Sequence, residues 1–251
     1  MTMEGRKIPE WQARSELMLG AEVLNKLFSK KVVVVGLGGV GAYAAEMIAR
    51  AGVGAMLILD SDVVNASNKN RQLLALDSTI GKSKVFLMEE RLKDINPEIG
   101  IVVKEVFLNQ DNVERLLDGF DADIVVDAID TLSPKIALIQ YCVGKGIPLV
   151  SSMGAGAKMD ATKIKVKDIS KSFNCPLAYM LRKRLRKLGI SKGFKVVFSE
   201  ELPDTSAIVP VEEQNKKSQV GTISYMPAVF GCIVAQAVLD HLIKEVGHEN
   251  N

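Results

Sequence analysis

The residues best placed to do chemistry lie between positions 32 and 84. Gly36, Gly38, Gly39 and Gly41 share one turn after the apolar run Val32-Val33-Val34-Val35. Glycines there let the backbone approach a phosphate with no Cβ in the way, and a following helix would aim free N–H groups and its positive end at it. Asp60 closes a second apolar run about 20 residues on, a spacing that suits an acid accepting hydrogen bonds from ribose hydroxyls. Then come Asp62, the cluster Asn65-Ala66-Ser67-Asn68-Lys69-Asn70-Arg71-Gln72, and Lys84 after Gly81-Lys82-Ser83. Cleaving a triphosphate requires fixed cations on its oxygens, and a rigid Arg fork suits that task. Hydride transfer needs a nicotinamide pocket and has no use for such a cluster. In Val126-Asp127-Ala128-Ile129-Asp130, a carboxylate at a strand end could hold magnesium. Plainer roles exist for each. The glycines could only pack a helix tightly, Arg71 and Lys84 could be surface cations, and Asp127 could cap a helix.

The elements that must position these residues alternate. Periodicity predicts strands at 31–35, 55–60, 100–106, 122–127 and 147–151, with helices at 40–51, 82–94, 110–117 and 132–145 between them. The fold class expected is α/β: a Rossmann-like, mostly parallel sheet with helices on both faces. Ligands on such sheets sit beyond the carboxyl ends of the strands, so Gly36, Asp60 and Asp127 should share one crevice. After residue 151 the pattern changes to a glycine-rich stretch, an alternating Lys163–Lys167 strand, a basic helix at 176–188 and a strand at 194–198. Residues 201–220 are polar and read as a mobile loop. The expectation is a single adenylating domain over 1–251, with a nucleotide core at about 10–160 and a smaller C-terminal β-containing lobe at about 161–251.

Net charge is only +2, so nucleic-acid binding would have to come from a local patch. The three cysteines, Cys142, Cys175 and Cys232, form no Cys-x-x-Cys pair, which argues against a zinc site and a disulfide framework. A reducing cytoplasm fits. Residues 1–7 carry charges in place of an apolar signal core. The apolar stretch 226–243 contains Gln236, Asp240 and His241 and reads as a buried helix, with no membrane partner expected. Cys142 and Cys232 lie in apolar helical runs and read as buried packing. Cys175 precedes Pro176 at a helix start, where the dipole could favour a thiolate.

The set Gly36-x-Gly38-Gly39-x-Gly41, Asp60-x-Asp62, Ser67-Asn68-x-Asn70-Arg71-Gln72, Lys84 and Ala128-Ile129-Asp130 resembles the ATP site of the ubiquitin-activating-enzyme-like superfamily, of the ThiF type. The resemblance implies that ATP, with Mg2+, reacts with a carboxylate to give an acyl-adenylate. In that scheme the glycines contact phosphate, Asp60 binds ribose, Asn68, Arg71 and Lys84 hold the triphosphate, and Asp130 positions magnesium or the reacting phosphate. It also implies a homodimer in which Arg71 reaches into the neighbour's site. Further segments resemble the tRNA threonylcarbamoyladenosine dehydratase branch: Asp127-Ala128-Ile129-Asp130, Pro134-Lys135, Asp168-Ile169, Pro176-Leu177-Ala178, Val197-Phe198-Ser199-Glu200 and Gly221-Thr222-Ile223-Ser224-Tyr225-Met226-Pro227. Members of that branch activate the carboxylate of a threonylcarbamoyl group on adenosine 37 of tRNA, which then cyclises. A sulfur-transfer helper protein is a further implied partner.

The nearest rival is adenylation of the C-terminus of a sulfur-carrier or ubiquitin-like protein. A non-catalytic nucleotide-binding scaffold and a nicotinamide-dependent oxidoreductase are rivals of other classes. Leu177, Leu181, Leu185 and Leu188 form one stripe of the basic helix, with Arg182, Lys183, Arg184, Arg186 and Lys187 around it. That face is either a solvated surface or a grip on tRNA phosphates.

Overall fold

The computed structural model describes residues 6–213 and 216–247. The chain runs α1 (Ala13–Leu19), α2 (Ala21–Ser29), β1 (Lys31–Val35), α3 (Gly41–Arg50), β2 (Ala55–Asp60), α4 (Lys84–Ile95), β3 (Gly100–Glu105), α5 (Val113–Leu117), β4 (Ile124–Asp127), α6 (Leu132–Lys145), β5 (Leu149–Ser152), β6 (Ile164–Asp168), α7 (Pro176–Lys187), β7 (Lys195–Ser199), β8 (Ile208–Glu213), β9 (Lys216–Val220) and α8 (Tyr225–Gly247). A seven-stranded sheet has the order β3-β2-β1-β4-β5-β7-β6. Every pairing in it is parallel except β6 with β7.

The four valines of β1 explain its central place. Val32 and Val34 pack with α2, α3, α4 and α8 on one face, while Val33 and Val35 pack with α5, α6 and α7 on the other. A strand buried on both sides has no polar side to show. The chain leaves β1 toward β2 on one side and returns to β4 on the other, so the order switches between β1 and β4. That is where a crevice opens beyond the strand ends. The two ends approach closely: a Cβ on Gly36 would stand 2.9 Å from the Ala128 carbonyl oxygen.

Several boundaries differ from the sequence expectation for visible reasons. α4 starts at Lys84, because residues 62–64 pair with 82–84: Val64 N donates to Lys82 O and Lys84 N to Asp62 O. α5 starts only at Val113, because the Asn109 and Asn112 side chains take up the backbone N–H groups before it. The expected mobile loop over 201–220 contains instead an antiparallel hairpin in which Ile208 pairs with Val220 and Val209 with Gln219. A two-stranded ribbon has only edges, so polar residues and Pro210 fit and no apolar run announces it.

α8 lies across α3 so closely that a Cβ on Gly231 would stand 2.5 Å from Val40 O. Its stretch Tyr225–Lys244, with mean hydropathy 1.6, has the length and composition to cross a membrane. Here Met226, Phe230, Val234, Val238 and Leu242 recur at helical spacing and are fully buried against the sheet side of the core. Truncating the deepest of them should cost about 3–5 kcal/mol. Phe230→Ala is expected to lower the urea midpoint accordingly, with an unchanged m-value.

Candidate functional site

Gly36 follows β1 with φ +91°, a conformation that favours glycine. Its N–H donates to Leu59 O at 2.8 Å, and Leu37 N donates to Asp60 Oδ2 at 2.6 Å. The other Asp60 oxygen accepts from Asp62 N at 2.8 Å. Burial pushes the Asp60 carboxyl up, while Lys84 and the two N–H donors pull it back toward the ionised form. An ionised carboxylate has about four acceptor positions, so two hydrogen bonds leave room for a ribose diol. Gly41 lets α3 begin directly over the turn, since its Cβ would fall 1.7 Å from Gly36 O. Gly39 is pressed from outside, its would-be Cβ 2.9 Å from Pro227 Cβ and 3.3 Å from Arg71 O.

The asparagine-rich segment wraps this turn. Asn68 is buried and its Oδ1 accepts from Asn65 N at 3.1 Å. Arg71 Nη1 donates to Ser67 O at 3.0 Å and to Asn70 Oδ1 at 2.7 Å, which fixes the guanidinium. Asn70 Nδ2 donates to Thr222 O at 3.0 Å and so ties the segment to the approach to α8. The Arg71 backbone thus lies against its own chain's glycine turn, while its guanidinium is oriented by the neighbouring Ser67 and Asn70. Gln72 Nε2 lies 3.8 Å from where a Gly38 Cβ would be. Gln72 Oε1 and Ser83 Oγ are buried atoms that make no hydrogen bond within the structure. Buried polar atoms without partners are rare, and the one on Gln72, beside the glycine turn, suits a polar ligand.

Lys84 begins α4. Its side chain is only 4% exposed, and Nζ sits 2.8 Å from Asp62 Oδ2, which is 64% exposed. The acids after β2 thus split the work: Asp60 holds the glycine turn, and Asp62 holds the cation. Sequence spacing did not reveal that Asp62–Lys84 pair.

Asp127 is a correction. Among the strand-end carboxylates considered for magnesium or nucleotide, it is fully buried and faces inward. Lys135 Nζ lies at 2.7 Å, Ser151 Oγ donates at 2.6 Å and Ile129 N donates at 3.1 Å. It holds the Ala128–Ile129 turn in place and presents no oxygen to the crevice. Asp130, beyond that turn, is exposed. Lys135 was the residue missed as a site element. Its signal was a lone lysine in the apolar helix stripe with Leu138, Ile139 and Cys142, all buried.

Two further expectations are revised. Cys232 is exposed, whereas Cys142 and Cys175 are buried. Burial, with Asp127 nearby, pushes the Cys142 thiol up to about 12. The inward stripe of α7 is Ala178, Leu181 and Leu185, while Leu188 lies past the helix end and is 46% exposed. Arg182 donates to Ser172 Oγ, and Lys183, Arg184, Arg186 and Lys187 are exposed.

Residues 12–251 match the model of the ThiF family. The chain is 41% identical over 242 residues to a tRNA threonylcarbamoyladenosine dehydratase of Bacillus subtilis, covering 93% of this chain and 95% of that one. Among solved structures it resembles the Escherichia coli tRNA N6-threonylcarbamoyladenosine dehydratase in complex with ATP, with TM-score 0.86 and 35% identity over 96% of this chain and 98% of that one. The complex of the Escherichia coli enzyme with AMP matches equally, with TM-score 0.86.

The buried pair under the turn makes a direct prediction. Lys135→Met strands a buried carboxylate and should cost about 3–5 kcal/mol. Asp127→Asn with Lys135→Met removes both charges and should recover much of that loss. Thermal melts of the two variants measure it.

Proposed function

The chain belongs to the ThiF family, and on that premise we propose that it is an ATP-dependent tRNA threonylcarbamoyladenosine dehydratase. The observation that carries this reading is identity of 35–41% across nearly the whole chain to proteins of that name, one solved with ATP. The substrate is the carboxylate of the threonylcarbamoyl group on adenosine 37 of tRNA. A carboxylate is a poor electrophile. Its oxygen attacks the α-phosphorus of ATP, pyrophosphate leaves, and the mixed anhydride carries AMP as a leaving group. The ureido group of the same molecule then attacks the acyl carbon and AMP departs. Nucleophile and electrophile are already joined, so ring closure benefits from a high effective molarity.

The side chains divide as follows. Gly36, Gly38, Gly39 and Gly41 give phosphate its backbone approach, and Asp60 takes the ribose hydroxyls. Arg71 and Lys84, each pinned by its own hydrogen bonds, meet the triphosphate with little reorganisation. Asn68, Asn70, Gln72 and Ser67 shape that side of the site. The orphaned Gln72 Oε1 fits a polar ligand there. Asp130 is the residue that would hold magnesium, which would neutralise charge on the departing pyrophosphate. The chain acts as one adenylating domain, in a cytoplasmic homodimer, with a sulfur-transfer protein as a helper and the basic face of α7 toward tRNA.

Mass spectrometry of nucleosides tests this. The protein is incubated with ATP-magnesium and tRNA carrying linear threonylcarbamoyladenosine. ATP-dependent loss of one water from that nucleoside is expected. No loss would overturn the reading and turn attention to a protein C-terminus as the acid.

Arg71→Ala should keep the melting temperature and lower ATP–pyrophosphate exchange by roughly 100-fold or more. Unchanged exchange would remove Arg71 from the site.

A further inference from the structure

The proposed substrate is a folded RNA, and one face of the molecule has the chemistry to hold its loop. Residues 163–195 carry eleven Lys and Arg against the single acid Asp168, in a chain whose net charge is +2. The rest of the chain is therefore net acidic, and the cationic character is concentrated in β6, α7 and the start of β7. Strand register gathers it on one side. Lys165 lies opposite Phe198, and Lys167 opposite Val196. Cross-strand partners share a face, and Phe198 and Val196 belong to the cluster that α7 covers. Lys165 and Lys167 thus stand at the sheet edge on the side of α7, whose outer surface shows Lys183, Arg184, Arg186 and Lys187.

Two aromatic rings stand among these cations. Phe173 is 43% exposed and Tyr179 is 58% exposed. Phe173 meets Phe198 edge-on with ring centroids 5.5 Å apart, and Lys167 Nζ lies 5.8 Å from its ring centre. Arg182 of α7 donates to Ser172 Oγ and holds this segment to the helix.

The direction of α7 places the rings toward the carboxyl end of the sheet. At its start, Cys175 Sγ lies 3.7 Å from where a Gly154 Cβ would be, just past β5. Asn174 Nδ2 donates to Glu200 O at 2.7 Å, just past β7. α7 therefore begins at the same end of the sheet as Gly36, Asp60 and Asp127. Tyr179 comes one turn in, and the cations follow as the helix runs away from that end.

Resting on the dehydratase reading, we infer that Tyr179 and Phe173 stack the bases that flank the nucleotide under modification, while Lys183, Arg184, Arg186 and Lys187 hold the adjoining phosphates. Proteins read unpaired RNA loops by stacking bases on aromatic rings and steering the backbone with cations. An acidic polypeptide would need the cations and not the rings.

Equilibrium binding of an unmodified tRNA transcript to the intact chain tests the surface apart from the chemistry. Tyr179→Ala should weaken binding roughly tenfold and leave the salt dependence unchanged, while Tyr179→Trp keeps the affinity. Lys183→Ala with Arg186→Ala should weaken binding and reduce the slope of log affinity against log salt by roughly 1–2. ATP affinity should stay the same in all three, which shows that the fold is intact. Parental affinity in the Tyr179→Ala and double-alanine variants overturns the inference. So does a parent that fails to bind the transcript, or one from which polyglutamate displaces tRNA at equal charge. If the variants lose binding as expected but the parent leaves threonylcarbamoyladenosine unchanged, the dehydratase reading falls and the RNA surface stands.

Discussion

Asp127 and Lys135 meet where neither has any exposure to water. Removing such charges from water costs several kcal/mol per ion, and mutual attraction repays it only with good geometry and further hydrogen bonds. Ser151 Oγ and Ile129 N supply those bonds. The three partners come from different elements: α6, β5 and the turn after β4. Their agreement fixes where β4 ends and how the chain leaves it. Gly36 then packs against the Ala128 carbonyl with no room for a side chain. The phosphate-approach turn is therefore built against a backbone held by a buried ion pair, and an error in that pair would move both walls of the crevice.

On the other wall the same logic appears with less burial. Asp60 bonds the glycine turn through Leu37 N and its own strand end through Asp62 N. Asp62 then holds Lys84, a cation whose side chain is nearly buried while its partner is mostly exposed. An exposed carboxylate restrains its partner weakly in water. The arrangement suits a cation that must be aimed but remain available to a polyanion. Arg71 is held instead by a carbonyl and an amide oxygen, which orient it without neutralising its charge.

These features were legible in the sequence to different degrees. β1 was plain because burial on both faces demands an unbroken apolar run, and its four valines have no other use. The glycine turn was equally plain, since close backbone contacts at Gly36 and Gly41 leave only one residue type. The hairpin of β8 and β9 was hidden because a two-stranded ribbon imposes no apolar pattern. Asp127 and Asp130 read alike, three residues apart, and only burial separates a carboxylate that supports the turn from one that lies in the open. Lys135 was hidden for the converse reason. A lysine in an apolar stripe reads as an exception until its partner is seen on the neighbouring strand. The inward stripe of α7 was one residue astray because the helix ends at Lys187 and leaves Leu188 outside it.

A near-neutral total charge conceals how this protein distributes its charges. An acidic body with one strongly cationic face would orient an approaching polyanion before contact, and that effect falls steeply with salt. Because α7 starts at the carboxyl end of the sheet, an RNA drawn onto that face would have one end at the same end of the sheet as the glycine turn. The same topology that opens a crevice at the β1–β4 switch point also starts the cationic helix at the carboxyl end of the sheet. On the proposed reading, the two substrates would then meet without a large domain movement. Binding energy gained along the helix, far from the reacting carboxylate, can be used to hold that carboxylate against the α-phosphorus.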